Sequence, residues 1–169
     1  MDMEAELMAK FKVSPNLEKY DRTIYQLGAQ AHEYIENAVK KGADPVADAV
    51  RAGVNGIPVD DSYRKPGELR SGLRTIQKSG LQAGLGVAPV RDDSGFINVK
   101  VGFHGYNGMH TKKYPGGQPN AMIARSVENG TSYMSAHPFI APAVRSSQKQ
   151  AENIMKQEIE NSIGKIMEV

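Results

Sequence analysis

The chain has 169 residues, 40% of them hydrophobic and 24% charged, with a formal net charge of +2 and no cysteine. Those values suit one globular domain with its own core over residues 1–169, and they exclude disulfides, thiolate nucleophiles and cysteine metal sites. No stretch approaches the roughly 20 apolar residues of a membrane span, and the first residues lack the apolar core of a signal peptide, so a soluble product made in the cytoplasm without export and without membrane contact is expected.

Residues 1–14 read as a flexible N-terminal segment. Apolar residues then recur at helical spacing from Leu17 through Tyr20, Ile24, Leu27, Ala31 and Ile35 to Val39. That stripe predicts a long amphipathic helix, starting at Ser14-Pro15-Asn16 and stopping at Gly42. Asp44-Pro45 resembles an N-cap followed by a first-turn proline, and it predicts a second, short helix carrying Val46, Val50 and Val54. The two can equally be one helix with a break.

Residues 58–67 read as a polar loop, and Gly67 to Ile76 as either a helical turn or the start of a strand. The period then changes to two. Leu81, Ala83, Leu85 and Val87 alternate, as do Ile97, Val99, Val101 and Phe103, with the turn sequence Arg91–Gly95 between them. A β-hairpin with strands near 80–90 and 96–104 is expected. Residues 104–120 have four glycines, two prolines and no apolar period, which predicts a long loop that orders on assembly. Asn120 is placed to cap a short helix ending at Asn129-Gly130, a strand being the alternative. The last helix starts between Pro138 and Pro142, with Pro142 in its first turn, and its apolar stripe is Val144, Ala151, Ile154, Met155, Ile159, Ile163 and Ile166. Its outer face mixes charges, with Glu152 and Lys156 in a favourable i,i+4 order. The fold class is therefore α+β: long N- and C-terminal helices packed on a small antiparallel sheet.

Chemistry is sparse. His32, His104, His110 and His137 lack the spacing of a zinc site, and the pairs Asp60-Asp61 and Asp92-Asp93 sit in turns. Nucleophile-elbow, P-loop and dinucleotide-fingerprint motifs are missing, so no enzyme activity, no catalytic residues, no metal and no cofactor are expected. Residues 62–125 hold ten bases and three acids, a balance of +7 that leaves −5 for the rest of the chain. That segment is either a solvated surface or a face turned toward DNA or an acidic neighbour.

Near the C-terminal end the run Val127-Glu128-Asn129-Gly130-Thr131-Ser132 precedes Ala136-His137-Pro138-Phe139 and Pro142-Ala143, and Gly67-Glu68-Leu69-Arg70-Ser71 lies upstream. This order of steps resembles the bacteriophage tail-completion, or head–tail joining, family, whose members show E-x-G-T, x-P-F and R-P-A steps before a final amphipathic helix. Pro66 and Ala141 depart from the family pattern. The resemblance covers roughly residues 17–167. It implies a structural virion protein at the phage neck or the top of the tail, forming a homo-oligomeric ring, a hexamer or dodecamer. Connector, tail-terminator or tail-tube proteins would be its partners, with non-specific DNA contact in the channel. The candidate assembly residues are Gly67, Leu69, Arg70, Arg74, Glu128, Gly130, Thr131, Pro138, Phe139 and Pro142. The alternative is a nucleic-acid-binding module using the basic segment.

Overall fold

The computed structural model describes residues 15–167, with side chains from Thr23 onward. The expectation for residues 1–14 and the packing of Leu17 and Tyr20 therefore lie outside what is described. The architecture is α+β, with four helices and four short antiparallel strands among the described residues.

Helix α1 spans Pro15–Gly56 without interruption. The expected stop at Gly42 and fresh start at Asp44-Pro45 do not occur. Pro45 forfeits one backbone hydrogen bond, at a cost of up to about 3 kcal/mol. The apolar face nevertheless continues through it, with Ala38, Ala43, Ala47, Val50 and Val54 all buried. Gly42 is instead a point of close approach. A Cβ there would stand 2.6 Å from Met155 Cγ on the last helix, α4, which spans Ile140–Met167. Gly53 is a second such point, nearer the C-terminal end of α1, where a Cβ would lie 3.1 Å from Phe139 Cβ. These contacts, with Lys41 Nζ 2.7 Å from Glu158, run the two helices antiparallel. At 1.5 Å per residue, Met167 reaches only about the level of residue 30 on α1. Ile24, beyond that level, is accordingly 67% exposed.

Lys78 Nζ closes the end of α1 by donating to the carbonyls of Asn55 and Ile57 at 2.8 and 2.7 Å. Helix α2 follows at Thr75–Gly84. This corrects the predicted strand near 80–90: Leu81 and Gly84 are buried with Gly80, a helical spacing, while Ala83 is exposed. Asp61 accepts the Thr75 N–H at 2.9 Å and so supplies the first turn with an acceptor. Gly80 and Gly84 are close-contact positions, against Asn107 and the His104 carbonyl.

The hairpin is present but begins later. β1 (Leu85–Val87) pairs with β4 (Val101–Phe103), and β2 (Arg91–Asp93) pairs with β3 (Phe96–Asn98). The turn is narrower than expected. Only Ser94 and Gly95 turn, with φ of 59° and 90°, the left-handed pair of a two-residue hairpin loop. Residues 104–119 contain no helix or named strand, yet hydrogen bonds tie the segment down. Asn107 N–H donates to Gln118 O at 2.9 Å, Asn120 N–H to Gly105 O at 3.0 Å, and Gln77 Nε2 of α2 to Gln118 Oε1 at 2.7 Å. These bonds lie within the chain and fix the path of the loop between β4 and α3.

Helix α3 spans Asn120–Asn129. Asn120 is its first residue, not its cap, and its buried side chain donates to His104 O at 2.9 Å. On α4 the expected stripe holds at Ala151, but Val144 is exposed. Lys156 lies 3.8 Å from Glu160, and Glu152 accepts from Gln148 instead of pairing with Lys156. The core gathers Val50, Val54 and Ile57 with Leu73, Leu81 of α2, Ile123 and Val127 of α3, and Phe139 and Ala143 at the start of α4. No helix among the described residues is long and apolar enough to cross a membrane.

Candidate functional site

Seven of the ten residues named from the sequence, Arg70, Glu128, Gly130, Thr131, Pro138, Phe139 and Pro142, gather at one junction, where α4 enters the core. Glu128, in the last turn of α3, sends its carboxylate to the first backbone groups of α4. Oε2 accepts the N–H of Phe139 at 2.7 Å and of Ile140 at 2.8 Å, and Oε1 accepts that of Ala141 at 3.0 Å. Helix N-termini carry unpaired N–H groups and a partial positive charge, so a carboxylate there is doubly favoured. Burial alone would raise the Glu128 pKa. The N–H groups of Ala141, Ile140 and Phe139, with the Arg145 charge, outweigh it and hold the carboxyl below its ordinary value.

Between the two helices the chain must reverse. Gly130, at φ 72° and ψ 170°, makes that turn, and a Cβ there would press on the Ala136 backbone at 3.0 Å. Thr131 Oγ1 accepts the Tyr133 N–H at 3.1 Å, and the Thr131 N–H donates to Met134 O at 2.9 Å. His137 N–H then donates to Val127 O at 2.8 Å, delivering Pro138 and Phe139 to the helix start. Pro142 falls in the first turn of α4, where a missing N–H costs least. Pro138 and Pro142 are both exposed. Phe139 is 5% exposed, and its ring meets Phe103 of β4 edge-on, with centroids 5.9 Å apart. A groove of about 570 Å³ opens beside it, lined by Gly53, Gly56, Pro58, Ala136, Pro138 and Pro142.

The upstream step joins the same junction. Arg70 N–H donates to Tyr133 O at 2.8 Å, and Ser135 N–H donates to Arg70 O at 3.1 Å, which zips residue 70 onto the 133–135 segment. Arg70 is half-buried. Its Nη1 donates to the carbonyls of Asp60 and Ser62 at 2.9 and 3.0 Å. Arg74 precedes α2 and has no ion pair among the described residues. Gly67, at φ 90°, turns the exposed loop before Leu69, and Leu69 itself is exposed.

Sequence reasoning missed Asp60. It is buried and accepts from the Ser62 hydroxyl, from Arg64 Nη2 at 2.7 Å, and from the N–H and hydroxyl of Ser71 at 3.0 and 3.2 Å. The Ser62 hydroxyl first, then the Arg64 guanidinium and the Ser71 N–H, hold its carboxyl far below the ordinary range. Asp61 is lowered in the same direction by the hydroxyl and N–H of Thr75. The Asp-Asp-Ser spacing signals a local turn. It carries no sign of the reach to Ser71, eleven residues on.

Among the described residues, no group of three histidines or carboxylates is placed to share a metal ion. His104 and His110 do not approach one another in a ligand set, and His110 Nδ1 lies 2.7 Å from Pro115 O. No protein-family model, no curated protein and no solved structure matches this chain.

Proposed function

We propose that this protein is a structural component of a bacteriophage neck, a tail-completion or head–tail joining subunit that forms a homo-oligomeric ring. One observation carries the reading. The sequence steps that resemble that family meet in space at one junction, where the Glu128 carboxylate clamps the Pro138-Phe139 helix start and Arg70 is zipped to residues 133–135. Residues that serve a common architecture converge in this way. The role this junction supports is to fix the angle between α3, α4 and the hairpin, as a subunit of a closed ring requires.

The test is electron microscopy of the purified protein, with antibody labelling of phage particles that contain it. Closed rings with a channel wide enough for duplex DNA, and label at the head–tail junction, are expected. A protein absent from that junction overturns the reading.

A second reading, nucleic-acid binding, has its own observation in favour. Of the ten bases in residues 62–125, Arg64 alone pairs with a carboxylate, and Arg70 and Lys78 donate to carbonyls. Lys65, Arg74, Arg91, Lys100, Lys112, Lys113 and Arg125 have no ion pair among the described residues. A fluorescent duplex titrated across a salt series separates the readings.

A further inference from the structure

The hairpin carries two glycines for which nothing inside the chain gives a reason. Gly86 and Gly102 stand directly opposite one another on β1 and β4. Neither has a positive φ. A Cβ at Gly102 would meet nothing within 4 Å, and one at Gly86 would make only ordinary contact with the His104 ring, at 3.5 Å. Glycine weakens a strand interior, and where no bend or internal contact demands it, it marks a place where another surface comes close. The paired glycines floor a hollow of about 360 Å³, walled by Val87, Ala88 and Phe103 and flanked by Lys100 and His104. Lys100 has no ion pair among the described residues.

The other end of the same hairpin has the opposite character. Phe96 is 71% exposed at the tip. It sits across from Asp93, with Asp92 alongside. Residues 62–125 contain only three acids, and these are two of them. Asp93 accepts from Asn98 Nδ2 at 2.8 Å, and Asp92 accepts the Gly95 N–H and lies 3.8 Å from His32 Nε2. Phe96 and Gly102 are six residues apart, roughly 20 Å along extended chain, so the ring cannot fill the hollow of its own copy.

We infer that the hairpin tip of one copy docks in the glycine-floored hollow of a second copy, with Phe96 filling the hollow and Asp93 facing Lys100. An acidic aromatic knob and a cationic apolar hollow are complementary in charge and in shape. Because they occupy different ends of the hairpin, the contact is head-to-tail and repeats from copy to copy. The inference rests on the ring reading above and names the surfaces that make the ring.

The test compares wild type with Phe96→Ala, Gly102→Val, Asp93→Lys, Lys100→Glu and the double variant Asp93→Lys/Lys100→Glu. Sedimentation velocity over a concentration series gives association, and urea unfolding of each variant gives folding. Gly102→Val places its side chain in open space, so it folds as wild type does while filling the hollow. Wild type should associate, each single variant should associate at least tenfold more weakly, and the double variant should recover most of the loss. Single variants that associate like wild type, a double variant no better than its parents, or a wild type that stays monomeric throughout each overturn the inference. Rings that persist in Gly102→Val leave the neck reading standing, which is decided separately by labelling at the head–tail junction.

Discussion

Replacing Glu128 tests the junction most directly. Its carboxylate accepts three backbone N–H groups at the start of α4. Loss of an N-cap acceptor costs about 0.5–2 kcal/mol, and loss of a negative charge at a helix N-terminus a further ~0.3–1 kcal/mol. Three charge-assisted bonds at about 1.5–3 kcal/mol each would total far more. However, Ala141 is exposed and Ile140 half-buried, so water replaces some of what Glu128 supplies. The expected cost of Glu128→Ala is therefore ~2–3 kcal/mol. With a urea slope of about 1–3 kcal/mol per molar, the unfolding midpoint followed by circular dichroism should fall by about 0.7–3 M. The sign of the pH dependence follows from the lowered pKa. A carboxyl that ionises more readily folded than unfolded adds stability that is complete above its unfolded pKa and is lost as pH falls through the folded one. The gap between wild type and Glu128→Gln should thus be full at about pH 7 and shrink as pH drops below 4.5, the ordinary value for this group. Asp60 and Asp61 are also held low, so both proteins remain acid-sensitive and the gap is the quantity to follow. A cost of Glu128→Ala below about 0.5 kcal/mol, the level of a surface substitution, or a Gln gap that stays constant into acid, refutes the clamp.

Phe139→Ala removes a ring packed against Phe103 and Gly53 and should cost about 3–5 kcal/mol in urea unfolding; a loss below about 1 kcal/mol contradicts its place in the core. Gly72→Ala would set a Cβ 2.2 Å from the Pro58 carbonyl oxygen, so it should destabilise by several kcal/mol, about 3 or more. Gly164→Ala meets nothing within 4 Å on α4 and should stabilise by about 0.5–1 kcal/mol; thermal unfolding that ranks the two the other way contradicts the packing. Duplex DNA should bind weakly and without sequence preference, with Kd no tighter than about 10⁻⁶ M at physiological salt, and tighter binding with a steep salt slope favours the nucleic-acid reading.

The elements that were legible are those decided by local periodicity. The α4 stripe through Ala151 and Met155, the α3 pair Ile123 and Val127, and the Gly130 turn follow from neighbours in sequence. The α2 helix was not legible, because Leu81, Ala83, Leu85 and Val87 alternate by accident across a helix end and a strand start. Pro45 misled for a related reason. Its local penalty is visible in sequence, whereas the α4 face that outweighs it lies about a hundred residues on. At the junction, Phe139 could be assigned to the core from its flanking prolines. The clamp by Glu128 could not, since a carboxylate eleven residues before its N–H partner has no local signature. The anchoring of Arg70 was not legible either, because its partners are backbone carbonyls, which sequence does not display.

Charge shows the same limit, and here the folded chain changes the argument. Read along the sequence, the +7 middle and the −5 remainder suggest two opposed faces that meet between subunits. In the fold, some of these acids are engaged within the chain. Asp60 and Asp61 are taken up by Arg64, Ser71 and Thr75, and Glu128 by the start of α4. On α4 itself, Glu152, Glu158 and Glu160 are offset by Arg145, Lys149, Lys156 and Lys165. On α1, exposed Asp44 and Asp48 stand among Lys40, Lys41 and Arg51, so charge there is mixed as well. One place where opposite charges are set apart along a single element is the hairpin, where Asp92 and Asp93 stand near the tip and Lys100 further back. The remaining cations without an ion pair, Lys112 and Lys113 on the loop before α3 among them, are dispersed over the surface. Dispersed surface cations attract a polyanion at long range without holding it tightly at physiological salt. On the neck reading proposed above, that is the electrostatic character a channel would need, since DNA would pass through it and not lodge there.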